Sequence, residues 1–373
     1  MWIKNGRVFQ ENGTFAKRDI ATREDKIADT SDDERVIDAE NLYVIPGLTD
    51  VHFHGCMGYD FCDGTKEALD TITEYQLSRG VTTICPASMT YGEERLTAIF
   101  KTVANYDNRK GSEVVGINME GPFISQKKKG AQNPLFIQPP DVDMFVRLQQ
   151  AAHGMIKLCD IAPELPGAMD FIQRLAGDVH ISLAHTDADY ETTMDAFNAG
   201  ARHVTHLYNG MNPFHHRKPG VVGAAADFTD AYVELIGDGI HVCPAAVRST
   251  LRVIGTQRLV LISDSLRSCG MSDGQYELGG QAVFKKGKYS TLADGTLAGS
   301  SVDLMDVLKT VVLEMNIPLE TAITCAAVNS AKSIGIYDTY GSLGKGKRAN
   351  ILLLDRDLNL KCIIKDGVIC HRF

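Results

Sequence analysis

The stretch Val44-Ile45-Pro46-Gly47-Leu48-Thr49-Asp50-Val51-His52-Phe53-His54-Gly55 decides how the rest of the chain is read. Its apolar run closes on two histidines one residue apart. In an extended strand, residues i and i+2 face the same side, so both imidazoles look into one space. Imidazole is the commonest protein ligand for metal ions, and a strand end fixes two of them at little entropic cost. Alone, the pair is equally compatible with two ordinary polar residues at a strand terminus, because His-x-His is a short and frequent pattern. Its meaning depends on the segments that follow.

Eight segments, this one included, look like buried strands that end in polar residues: 47–55, 80–88, 114–121, 155–164, 180–187, 203–211, 233–242 and 259–266. The spacing leaves room for a helix and two loops after each. Two intervening stretches carry clear helix signals. Residues 65–79 place Leu69, Ile72 and Tyr75 at helical spacing and stop at Gly80. Residues 189–198 begin with the capping residue Asp189 and end before Ala199-Gly200. Strand-then-helix units repeated eight times predict an α/β chain folded as a (β/α)8 TIM-like barrel, not an open sheet. Catalytic side chains are then expected at the carboxyl ends of the strands.

The two ends of the chain read differently. Residues 1–46 hold short alternating runs broken by Asn5-Gly6 and Asn12-Gly13, both expected to be hairpin turns. Residues 349–373 alternate likewise around the turn Lys365-Asp366-Gly367. Together they predict one small discontinuous β-sandwich. The expected division is 1–46 for its first part, 47–344 for the barrel and 345–373 for its second part. Residues 273–296 read as a β-hairpin inserted after strand eight.

Composition narrows the function. With 373 residues and 44% hydrophobic content, the chain can bury a large core. A net charge of −9 without a dense basic stripe argues against a nucleic-acid partner. No apolar run approaches the ~20 residues that span a bilayer, and the first residues lack a signal peptide's pattern. Nine cysteines without a C-x-x-C pair fit reduced thiols in a cytoplasmic enzyme.

Polar residues gather where the barrel reading puts the active site. Strand one ends with His52 and His54, strand three with Glu120, strand five with His185 and strand six with His206. Strand seven ends with Asp238-Gly239-Ile240-His241, and strand eight with Asp264. Any one of these could be a satisfied structural group. Convergence from six strands instead predicts a metal centre, since histidines and carboxylates are the ligand set for zinc, iron or manganese and a glutamate can bridge two ions.

This pattern resembles the amidohydrolase superfamily and, within it, the N-acetylglucosamine-6-phosphate deacetylase family. The resemblance spans nearly the whole chain. It rests on the segment Pro46–Gly55, on Glu120-Gly121-Pro122-Phe123, Ala184-His185-Thr186 and Thr205-His206-Leu207-Tyr208-Asn209-Gly210-Met211, and on Arg217-Lys218-Pro219-Gly220, Asp238-Gly239-Ile240-His241 and Ser263-Asp264. The resemblance implies that Glu120, His185 and His206 hold the principal divalent metal ion (zinc, iron, manganese or cobalt). His52 and His54 would complete a second site with Glu120 and Asp264, giving one or two ions per subunit. Asp264 would act as general base toward the attacking water and then as proton donor to the departing amine. The implied substrate is an amino-sugar phosphate, N-acetyl-D-glucosamine 6-phosphate, hydrolysed to D-glucosamine 6-phosphate and acetate in amino-sugar catabolism. Its galacto-configured isomer remains open, as do another amidohydrolase activity and a catalytically silent sugar-phosphate binder.

Substrate contacts are implied at Asn209, Gly210, Arg217 and His241, with Arg217 offering a planar fork suited to phosphate oxygens. Further contacts are implied at Ala131 and Gln132 and in the loop Leu297-Ala298-Gly299. The family resemblance also implies a homodimer. One position departs from the pattern: Gln132 stands where relatives carry a histidine that touches substrate. Glutamine can donate a hydrogen bond to a substrate carbonyl or hydroxyl, but it cannot carry a proton or a charge.

Overall fold

The computed structural model describes residues 1–107 and 110–373. The barrel strands form inside the apolar runs but are shorter than them. They are Leu48–Asp50, Val81–Ile84 (continued by Ala87–Ser88), Ile117–Met119, Ile156–Ile161, His180–Leu183, His203–Val204, Tyr232–Ile236 and Leu259–Ile262. They are numbered one to eight below. Each pairs in parallel with the next, from Leu48↔Val81 through Ala87↔Asn118 to Val233↔Leu259. The ring closes just beyond the strand ends, where Asp264 N donates to His52 O (2.9 Å) and His54 N donates to Ser265 O (2.7 Å). The polar tail of each run therefore leaves the ladder as a loop. That is why the strands are short, and it places the site residues at the barrel mouth.

Helices follow the strands as expected. Lys66–Ser78 starts at Thr65, whose side chain accepts from Ala68 N, and packs Leu69, Ile72 and Leu77 inward. Tyr190–Ala199 starts at Asp189, which accepts from Thr192 N, and ends at Gly200. Such caps satisfy amides that the first turn leaves free. A large apolar cluster joins the barrel to its helices, and Val51, Cys85, Leu158, Ile236, Val260 and Ile262 form a second, smaller one.

The chain ends build two sheets. Residues 1–38 supply a four-stranded sheet, and a six-stranded sheet joins strands from residues 7–46 to strands from 351–372. Met1, Ile3, Val8, Ile20, Val44, Ile351, Leu353 and Ile364 form the apolar layer of this lobe. The turn Lys365-Asp366-Gly367 joins two antiparallel strands, and Asp366 (φ 50°) and Gly367 (φ 72°) are both left-handed. Asn12-Gly13 likewise sits between the paired strands Arg7–Phe9 and Phe15–Lys17.

Two local expectations are corrected. Asn5-Gly6 is not a hairpin turn: Trp2–Lys4 and Arg7–Phe9 lie in different sheets, and the chain crosses between them there. The crossing is tight, since a Cβ on Gly6 would lie 2.4 Å from Val44 Cγ2. Asn-Gly favours the left-handed step, but what the flanking strands bury decides the sheet each one joins. The insertion after strand eight is a three-stranded meander, Gly274–Leu278, Gln281–Lys286 and Tyr289–Leu292, not a hairpin. Its second turn, at Lys286-Gly287, adds the third strand. Gln281 Nε2 donates to Ala131 O (2.5 Å) and Asn133 Nδ2 to Gly279 O (3.2 Å), so the meander leans over the mouth.

Candidate active site

Site residues at three strand ends carry left-handed backbone: His185 (φ 42°), His206 (φ 25°) and Asp264 (φ 49°). Such conformations cost of order 1–3 kcal/mol in non-glycine residues and persist only where the surroundings enforce them. Here they break the strand's alternation and turn each side chain into the mouth. His52, His54, Glu120, His185, His206 and Asp264 are all buried.

Glu120 is the centre of the group. Its Oε1 lies 3.0 Å from His185 Nε2, 3.1 Å from His206 Nε2 and 3.5 Å from His52 Nε2. Its Oε2 lies 3.3 Å from His54 Nε2. Asp264 Oδ1 is 3.4 Å from His54 Nε2 and 3.8 Å from His52 Nε2. The other nitrogen of each ring is already committed. His54 Nδ1 meets Ala87 O (3.2 Å), His185 Nδ1 meets Lys128 O (2.8 Å) and His206 Nδ1 meets Asn209 O (3.2 Å). His52 Nδ1 meets Glu234 Oε2 (2.9 Å). These acceptors place the ring proton on Nδ1, so every neutral ring aims an Nε2 lone pair at carboxylate oxygens.

Lone pair against lone pair is repulsive unless a proton or a cation lies between. Buried His52 Nε2, which has no hydrogen-bond partner, shows the same need. The ligand atoms of His52, Glu120 and His206 lie within 4.8 Å of one another, as do those of His52, His54 and Asp264. This donor set fits one or two divalent cations.

The charges agree. Burial would raise the Glu120 and Asp264 carboxyls, yet the neighbouring imidazoles hold both below the ordinary range, so both are anions. Burial would lower His54, but hydrogen bonds to Asp264 and Glu120 and their charges push it up to about 10. Without a cation, protons fill the gap.

Beside this group opens a cavity of about 320 Å³, at the small end for ligand sites. Ala131, Gln132, Asn209, Gly210, His241, Leu297 and Gly299 line it together with the buried acids and imidazoles. Met89, Ile236, Leu266 and Leu278 add apolar wall. His241 Nδ1 is held by Asp238 Oδ2 (2.7 Å), leaving Nε2 for the cavity. Gly210 is left-handed, and a Cβ there would lie 2.8 Å from His185 Nδ1. Arg217 and Ala298 are not among the lining residues. Arg217 is exposed and contacts His216 Nε2 (2.7 Å), while Ala298 is buried behind the loop.

Gln132 lines the cavity and also braces the site. Its Oε1 accepts from Thr90 N (2.8 Å), which fixes the amide's orientation, and its Nε2 donates to Glu120 Oε2 (2.7 Å). Each polar atom has a protein partner, and among the described residues the second Nε2–H is left uncommitted.

Sequence reasoning missed Glu234, the buried partner of His52. A signal existed: Tyr232-Val233-Glu234-Leu235-Ile236 has a lone acid in an apolar run. It also missed the carbonyls of Ala87, Lys128 and Asn209, which have no side-chain signature.

The profile of the amidohydrolase family matches residues 43–370. N-acetylglucosamine-6-phosphate deacetylase of Bacillus subtilis (strain 168) is 35% identical over 98% of this chain and 92% of its own length. N-acetylgalactosamine-6-phosphate deacetylase of Escherichia coli O157:H7 is 34% identical over 88% of each chain. Among solved structures, an N-acetyl-D-glucosamine-6-phosphate deacetylase variant of Mycobacterium smegmatis, in complex with N-acetyl-D-glucosamine 6-phosphate, superimposes with a TM-score of 0.91. It is 29% identical, with 99% of both chains covered.

Proposed function

The chain belongs to the amidohydrolase family, and we propose that it hydrolyses N-acetyl-D-glucosamine 6-phosphate to D-glucosamine 6-phosphate and acetate in amino-sugar catabolism. The observation that carries this reading is the convergence of four imidazole Nε2 atoms on Glu120 and Asp264 beside a sugar-sized cavity.

Glu120, His185 and His206 would hold one divalent cation, and His52, His54 and Asp264 with Glu120 would hold a second. Zinc, iron, manganese or cobalt all suit these donors. A cation bound there would supply Lewis acidity, lowering the pKa of a bound water to near ~7. Asp264, anionic beside His54, receives a proton from the attacking water at its carboxylate and delivers it to the sugar nitrogen. The C–N bond then breaks with a neutral amine leaving. Gln132 and the histidine-holding carbonyls keep the acids and imidazoles aligned through these transfers. His241, whose Nδ1–H is tied to Asp238 and whose pKa that acid raises against the pull of burial, presents Nε2–H as an imidazolium to a sugar hydroxyl or phosphate oxygen. Asn209 and the main chain at Gly210 face the same space. Met89, Leu266 and Leu278 exclude water around the acyl group.

Arg217 stands outside the cavity wall and is exposed, so its phosphate contact belongs with assembly as a homodimer and the approach of a neighbouring subunit. Cytoplasmic residence is part of the same reading. Among the described residues, no helix is long and apolar enough to cross a membrane.

The galacto-configured isomer is a second reading, favoured by the 34% identity to the Escherichia coli enzyme. Acetate release should be measured on both N-acetylhexosamine 6-phosphates and on unphosphorylated N-acetylglucosamine. Faster turnover of the gluco phosphate supports the proposal. Preference for the galacto isomer selects the second reading, and no release from either phosphate removes both.

A further inference from the structure

Glu234 is a buried acid to which the chemistry above gives no task. It stands in the middle of strand seven, fully buried. Its Oε2 accepts from His52 Nδ1 (2.9 Å) and from His206 N (3.2 Å). Among the described residues its Oε1 has no hydrogen-bond partner, and it lies 3.8 Å from His203 Nδ1. That nitrogen is 3.0 Å from Ser182 Oγ. Taking a carboxylate out of water costs several kcal/mol even after relaxation. A neutral amide could accept the same two N–H groups at lower cost. His54, His185 and His206 are each oriented by a main-chain carbonyl. His52 alone among these four rings leans on an acid.

An acid partner does what a carbonyl does, fixing tautomer and ring angle, and also raises the basicity of the ligating nitrogen. His52 is the ring that stands between the two candidate ligand groups. Two divalent cations bring four positive charges, and Glu120, Asp264 and Glu234 balance these more nearly than the first two carboxylates alone.

We propose that Glu234 is a positioning residue that builds the second cation site through its hydrogen bond to His52. The proposal rests on the cation-binding part of the function above and is independent of which sugar is the substrate.

The test is a titration of chelator-stripped protein with Zn²⁺ or Mn²⁺, read by calorimetry and by elemental analysis after gel filtration. Wild type should take up two equivalents per subunit. Glu234→Gln keeps an acceptor for both N–H groups, removes the charge and puts an NH2 where Oε1 faces His203 Nδ1. It should weaken the second equivalent by roughly 10–100-fold and the first by markedly less. His52→Asn should weaken the second equivalent similarly. Adding Glu234→Gln to His52→Asn should then cost nothing further, because the effect travels through that ring.

Three results would overturn the proposal: two wild-type affinities in Glu234→Gln, a single equivalent in wild type, or an undiminished Glu234→Gln effect in the His52→Asn background. A Glu234→Gln chain that cannot fold without cations, where wild type can, would make the carboxylate structural and also end it. Absent acetate release would remove the substrate assignment and leave this titration standing.

Discussion

Replacing Gln132 with leucine tests whether the site is held together by the bonds described. The side chain is buried, and leucine has a similar size, so the change is mainly one of polarity. Two partners are stranded. Thr90 N, also buried, loses its acceptor at 2.8 Å, and an unpaired buried amide costs ~1–3 kcal/mol. Glu120 Oε2 loses its donor at 2.7 Å, and bonds to charged groups contribute ~1.5–3 kcal/mol. Leucine recovers about 1 kcal/mol by apolar burial, which leaves an expected loss of about 2–5 kcal/mol. The assay is urea unfolding of the cation-free protein at fixed pH, with cation affinity measured alongside. Gln132→Glu sharpens it: the carboxylate can still accept from Thr90 N but now faces Glu120. Its destabilisation should therefore be at least as large near neutral pH and should ease as the pH falls and a proton is shared. A loss under ~0.5 kcal/mol for Gln132→Leu, the scale of surface changes, would refute the reasoning.

Asp264→Asn should cut turnover by about 10³-fold, in the range for general acid–base groups, while the first cation equivalent is retained by elemental analysis. Gly210→Ala should destabilise by ~2 kcal/mol and weaken cation binding, since a left-handed alanine is strained and its Cβ presses on His185; fluorescence-monitored unfolding reads this. His54 predicts a pH dependence for the cation-free protein. Its folded pKa of about 10 lies above the unfolded value of 6.5, so its contribution is fully present below about 6.5 and is lost as pH rises toward 10. Cations must displace that proton, so proton release on binding should be measurable at pH 8, and cation-loaded protein should not show the same decline.

Much of this was legible in the chain because barrel strands buried on both faces are continuous apolar runs, and their ends are abrupt changes to polar residues. The proposed ligands His52, His54, Glu120, His185, His206 and Asp264 stand at those changes. What was hidden depends on atoms without a side-chain code. Lys128 O, Ala87 O and Asn209 O orient three rings, and a carbonyl is the same in every residue. Gln132 read only as a substrate contact because its donor is visible in sequence, while Thr90 N and Glu120, to which it also bonds, are distant. Asn5-Gly6 read as a hairpin because local turn chemistry is visible while the sheet each strand joins is decided by long-range burial. Glu234 was visible as a lone acid in an apolar strand but lies outside the strand-end positions where site residues were sought.

The account turns on cations held by these six side chains. Exhaustive chelation followed by dialysis should abolish acetate release from N-acetyl-D-glucosamine 6-phosphate, and stoichiometric divalent cation should restore it. Full activity in protein shown by elemental analysis to contain no metal would contradict it.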